Sequence, residues 1–144
     1  MAASEILTDI SPTRILVVDD SQAMRRGLRR LLEGHPHWRV CGEASDGREA
    51  VEKAQEIEPD VIVLDFQMPE MNGLDAAKSI TEHSPQVPIL MVSMHMSPQL
   101  ADEARKVGIR GVCAKDNIFC VVEAVEILLS HGTYFQAEIP ATDN

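Results

Sequence analysis

The stretch VIVLD, residues 61–65, decides the fold. Val61-Ile62-Val63-Leu64 is continuous rather than alternating, the mark of a strand covered on both faces, as in a parallel sheet. Parallel neighbours need crossover connections, and those lay helices against the sheet. Outward from this run the same texture recurs at Ile15-Leu16-Val17-Val18 and at Ile89-Leu90-Met91-Val92. Residues 39–44 and 111–114 are weaker strand candidates, poorer in β-branched side chains.

The intervals carry helical spacing. Met24, Leu28, Leu31 and Leu32 stand at i, i+4, i+7 and i+8, and Ala50, Ala54 and Ile57 at i, i+4 and i+7. Asp46 with Glu49 three residues on reads as a capping box. Leu74, Ala77 and Ile80 form a weaker stripe. Leu100, Ala104 and Val107 form a fourth, stopped by Gly108, and Val121, Val125 and Leu128 a fifth. Five strand–helix units predict right-handed crossovers and an α/β fold with an open five-stranded parallel sheet, since a closed barrel takes about eight. One domain is expected over residues 13–131, with an N-terminal tail at 1–12 and a C-terminal tail or linker at 132–144.

Composition narrows the function classes. The 144 residues are 44% hydrophobic, enough for a core, and 13 Lys+Arg against 23 Asp+Glu give a net charge of −10. That balance argues against a nucleic-acid or anionic-membrane surface on this segment, which would need clustered cations. Cys41, Cys113 and Cys120 form no CxxC pair and no even framework, so a reducing cytoplasm is expected. No apolar run reaches the roughly 20 residues of a spanning helix. The start, MAASEILTDISPT, lacks the basic region of a secretory signal.

Open α/β sheets bind ligands beyond the carboxyl ends of their strands, so the residues ending each strand matter most. Strand one runs into Asp19-Asp20, strand three into Asp65, strand four into Ser93 and strand five into Lys115. Two carboxylates 4 Å apart repel by about 4 kcal/mol at an effective dielectric near 20. Three together call for a proton or a cation, and a hard, oxygen-seeking ion such as Mg²⁺ fits. A lysine, a hydroxyl and an ion around a carboxylate suit a transferring phosphoryl group, with Asp65 as nucleophile. Each element alone has a blander reading: a helix N-cap, a loop hydroxyl, a solvated lysine. Their joint occurrence at four strand ends carries the inference. His35, His37 and Cys41 lack a fourth metal ligand, and no glycine-rich phosphate cradle follows strand one.

In family order, ILVVDDSQAMRRGLRRLL (15–32), GEASDGREAVE (42–52), PDVIVLDFQMPEMNGLDAAKSI (59–80), VPILMVS (87–93) and GIRGVCAKD (108–116) resemble the receiver domain of two-component response regulators. The resemblance implies a flavodoxin-like sheet of order 2-1-3-4-5 with helices on both faces. It implies that Asp65 is the phosphoacceptor and that Mg²⁺ is held by Asp20, Asp65 and the backbone carbonyl of Gln67, with Asp19 acting through water. Ser93 and Lys115 would engage the phosphoryl oxygens. It further implies a sensor histidine kinase as donor, docked on Arg25, Arg26, Arg29 and Arg30 of the first helix. The outcome would be a changed partner face or a homodimer, with transcription regulated by an output domain outside this chain.

The chain departs from the pattern at three places. Val112 stands where an aromatic switch residue is frequent, Asp116 where a proline is, and bulky Met94 follows Ser93. Met94, Gln67 and His95 are expected to tune the lifetime of the phosphorylated form. The rival readings are a stand-alone receiver acting by protein contact or phosphorelay, and a Mg²⁺-dependent phosphatase with an aspartyl nucleophile. The phosphatase reading wants Asp-x-Asp after strand one, where this chain has Asp19-Asp20-Ser21. A phosphoacceptor signalling domain rather than a turnover enzyme is therefore expected.

Overall fold

The computed structural model describes residues 11–135. Strands and helices alternate: β1 (Thr13–Val18), α1 (Gln22–Glu33), β2 (Trp38–Ala44), α2 (Gly47–Ile57), β3 (Val61–Asp65), α3 (Gly73–His83), β4 (Ile89–Ser93), α4 (Pro98–Lys106), β5 (Gly111–Ala114), α5 (Cys120–Leu129) and β6 (Tyr134–Phe135). The sheet is parallel throughout, in the order β2-β1-β3-β4-β5-β6. The expected five strands and their order are present.

β6 is an addition. It comes from residues expected to be tail, and it aligns Tyr134 with Gly111 and Phe135 with Val112. A Cβ on Gly111 would stand 2.9 Å from the Tyr134 carbonyl oxygen, so only glycine lets this strand approach so closely. The Arg105 guanidinium covers the Phe135 ring at 4.1 Å, which holds β6 to α4 as well. The remaining expected tail, residues 1–10 and 136–144, lies outside the described residues.

The strands divide two cores between them because alternate side chains point to opposite faces. Ile15, Val17, Val61, Val63, Leu90, Val92 and Cys113 pack with Leu28 and Leu32 of α1 and with Val121, Val125 and Leu128 of α5. Leu16, Val18, Ile62, Leu64, Ile89, Met91 and Val112 pack with α2, α3 and α4. On α3 the buried side is Ala76, Ala77 and Ile80, while Leu74 is only half-buried, so the weak stripe lies slightly to one side of the true face.

Local chemistry sets the helix starts. Ser21, Asp46, Asn72 and Ser97 each accept a hydrogen bond from the amide three residues on. In the expected capping box, the Asp46 carboxylate accepts from Glu49 N at 2.8 Å. The Glu49 carboxylate reaches back one residue further than anticipated, to Ser45 N at 2.8 Å. Gly108, with φ of +97°, ends the α4 segment with its Cα against Thr81, where a side chain would be both strained and obstructed.

Candidate phosphoacceptor site

The carboxyl ends of β1, β3 and β4 and the residue after β5 meet at one rim of the sheet. Ligand oxygens of Asp19, Asp20 and Asp65 lie within 4.8 Å of one another. Asp19 and Asp65 are buried, at 1% and 2% exposure, whereas Asp20 faces solvent. Lys115 reaches in from the far side, with Nζ 3.0 Å from Asp19 Oδ2 and 3.2 Å from Asp65 Oδ1.

Asp19 is fully engaged. Its Oδ1 accepts from Ser21 N at 2.9 Å, and its backbone amide donates to Ala44 O at 3.1 Å. Asp65 is only half engaged. Its Oδ1 accepts from Gln67 N at 3.2 Å as well as from Lys115, but its Oδ2 is buried and has no hydrogen-bond partner among the described residues. Burial, reinforced by the Asp19 charge and opposed by Lys115, pushes the Asp65 carboxyl up to about 6. Burial of Lys115 disfavours its charge, but hydrogen bonds and charge from Asp19 and Asp65 outweigh that and raise it above its ordinary value.

A buried carboxylate oxygen is costly unless something satisfies it. The donor set to which it belongs, three carboxylates without sulfur or imidazole, suits a hard divalent cation. The loop beyond Asp65 is held tight for this geometry. Phe66 N donates to Val92 O at 2.9 Å and Gly73 N to Phe66 O at 2.8 Å, and a Cβ on Gly73 would come within 2.6 Å of the Asp65 carbonyl oxygen.

The other expected residues fall around this centre. Ser93 is 1% exposed, and its hydroxyl donates to His95 O and accepts from His95 N, each at 3.2 Å. It therefore stands at the rim but is engaged with its own loop. Lys115 N donates to Ser93 O at 2.8 Å, which ties these two ends together. Gln67, His95 and Met94 are exposed, Met94 to 51%. Val112 is completely buried on β5, with Phe135 beside it on β6.

The four arginines of α1 differ in their surroundings. Arg26 and Arg30 are exposed. Arg25 and Arg29 both bind Glu43 of β2, Arg25 Nε to Oε1 at 3.0 Å and Arg29 Nη2 to Oε2 at 2.8 Å. Burial of Glu43 is outweighed by these two guanidiniums, which hold its carboxyl below the usual range. Glu43 went unread in the sequence because it lies 18 residues from Arg25, beyond any local spacing rule.

A concavity of about 580 Å³ lies at the opposite rim, between Pro59, Asp60, Ser84, Gln86 and Val87. The convergence of charged groups, rather than volume, marks the chemical site. No helix among the described residues is long and apolar enough to cross a membrane.

The chain is similar to several known proteins. The transcriptional regulatory protein DegU of Brevibacillus brevis is 31% identical over 127 residues, covering 88% of this chain and 54% of its own length. A protein-glutamate methylesterase/protein-glutamine glutaminase of Pyrococcus abyssi is 51% identical over 80 residues, 56% of this chain and 22% of that protein. The chain thus spans about half or less of these relatives. The crystal structure of a LuxR-family two-component response regulator from Aurantimonas sp. SI85-9A1 superposes with a TM-score of 0.83 at 33% identity, covering 86% of this chain and 89% of that one. The profile of the response regulator receiver domain matches residues 15–125, which takes in β2 to β5, all but the first two residues of β1, and Asp19, Asp20 and Asp65. The chain belongs to the response regulator receiver domain family of two-component systems.

Proposed function

We propose that this chain is a phosphorylation switch in which Asp65 accepts a phosphoryl group from a phosphohistidine of a sensor kinase. The observation that carries this reading is the buried, unpartnered Asp65 Oδ2 opposite Lys115. An acid titrating near 6 is about tenfold more ionised than protonated at pH 7, so the nucleophile is present at neutral pH. The Oδ2 lone pair forms the new O–P bond as the P–N bond breaks, and the electron pair of that bond stays on the departing imidazole.

Asp20, Asp65 and the Gln67 carbonyl are the proposed Mg²⁺ ligands, with Asp19 acting through water. The cation, when bound, neutralises the acids and the phosphoryl oxygens. Asp19 is unsuited as the nucleophile because both its carboxylate oxygens are already engaged, which disfavours the phosphatase alternative. Once Asp65 carries the phosphoryl group, Lys115 pairs with one of its oxygens. Ser93 donates to another and gives up the His95 carbonyl. That exchange pulls the segment between β4 and α4 and biases the face of α4, β5 and α5 toward a new partner or a second copy.

The relatives differ in what they join to this segment, a transcription regulator in one case and a methylesterase in another. Transcriptional output through a further domain is the reading favoured by the match to DegU, which covers 88% of this chain.

Incubation with acetyl phosphate and Mg²⁺, followed by intact-mass analysis, should add one acid-labile phosphoryl group. Asp65→Asn should add none. Equal gain by that variant overturns the assignment.

A further inference from the structure

The Arg25 side chain is 16% exposed and makes two bonds of different kinds. Its Nε binds Glu43 Oε1 at 3.0 Å, and its Nη1 donates to the backbone carbonyl of Asp19 at 2.6 Å. The first bond anchors the guanidinium to β2. The second grips the backbone at the point where β1 gives way to the acidic turn. The turn itself continues into Ser21, whose amide holds the Asp19 carboxylate and whose hydroxyl and carbonyl start α1. Arg29 shares Glu43 but, among the described residues, makes no bond to the turn.

We infer that Arg25 is a positioning residue for the acidic turn, a buckle from Glu43 to the Asp19 carbonyl that sets where Asp19 and Asp20 present their carboxylates. The planar fork of arginine is what allows one side chain to hold both partners at once, and a lysine ammonium cannot reproduce that pairing. The inference deepens the proposed function, because it rests on the acids receiving Mg²⁺.

Charge alone predicts the opposite effect from positioning. Removing a cation near three carboxylates should tighten binding of a divalent ion, whereas releasing the turn should weaken it. Outer partners of a metal site act through orientation in this way.

Mg²⁺ titration by calorimetry separates the two. Arg25→Ala should weaken Mg²⁺ binding about tenfold, Arg25→Lys should restore it only partly, and Arg29→Ala should stay within about twofold of the parent. Amide hydrogen exchange in EDTA gives a second readout, with Ser21 N–H exchanging about tenfold faster in Arg25→Ala than in Arg29→Ala. Unchanged or tighter Mg²⁺ binding by Arg25→Ala overturns the inference, as does equal Ser21 exchange in the two variants. A parent chain that binds no Mg²⁺ overturns the metal reading instead, and the exchange comparison still decides whether Arg25 holds the turn.

Discussion

Lys115 binds Asp65 through one oxygen only, Nζ to Oδ1 at 3.2 Å, and so leaves Oδ2 buried and unbonded. A bidentate partner such as arginine would have satisfied both oxygens and closed the site. The single ammonium instead lowers the cost of the buried charge while leaving one oxygen for chemistry. Because Lys115 also binds Asp19 at 3.0 Å, it keeps an anchor if Asp65 changes state.

Stability should therefore depend on pH through Asp65. Its carboxyl is raised from 3.8 to about 6 by folding, so its contribution is fully present below pH 3.8 and is lost as pH rises through 6. In EDTA, Asp65→Asn should be more stable than the parent at pH 8, by on the order of 2–3 kcal/mol. The two should converge near pH 4. Urea unfolding at both pH values measures the difference, and a constant gap would refute the assignment of the shift to Asp65.

Lys115→Met removes the cation that faces two buried acids. The loss should be about 3 kcal/mol in EDTA at pH 8, as for breaking a buried ion pair. Millimolar Mg²⁺ should recover much of it. Thermal melts with and without Mg²⁺ test this, and a melt indifferent to the ion counts against a shared site.

Gly73→Ala should destabilise by about 1–3 kcal/mol, since the new methyl would meet backbone, which cannot swing aside. Denaturant unfolding gives the size. The amide signals of Phe66 and Gln67 should shift with it, because their loop is what must move.

Reversing Arg26 and Arg30 to Glu should slow phosphotransfer from a cognate kinase about tenfold while leaving acetyl phosphate within about twofold. These two are chosen because Arg25 and Arg29 are already bound to Glu43. Equal loss with both donors would mean the substitutions damage the site rather than a docking surface.

Phe135→Ala should release β6 at a cost of about 1 kcal/mol. Exchange of Tyr134 N–H, which donates to Arg110 O at 2.9 Å, should speed up, while amides of β3 stay protected.

Much of this site could be read from strand ends. Burial on two faces forces strands such as Val61–Leu64 to be uniformly apolar, so Asp65 and Ser93 stand out by contrast. Features that depend on distance in space could not be read that way. Glu43 looks like any acid in an acidic chain until β2 brings it beside α1. Tyr134–Phe135 is too short to show a strand period, and its docking depends on the missing side chain of Gly111. The sequence pointed to Ser93 as a hydroxyl at the rim, but not to its bonds with His95, which are a choice of rotamer.

The two cores on either side of the sheet have a consequence for how the domain can change. Leu28 belongs to one and Ile80 to the other, and among the described residues the two share no buried side chain. The molecule is a laminate, and damage to its two layers should add, within about 0.5 kcal/mol, in a Leu28→Ala, Ile80→Ala cycle. Either layer can then drift or be repacked without consulting the other. The rim that carries Asp19, Asp65 and Lys115 is the seam at which both must still agree.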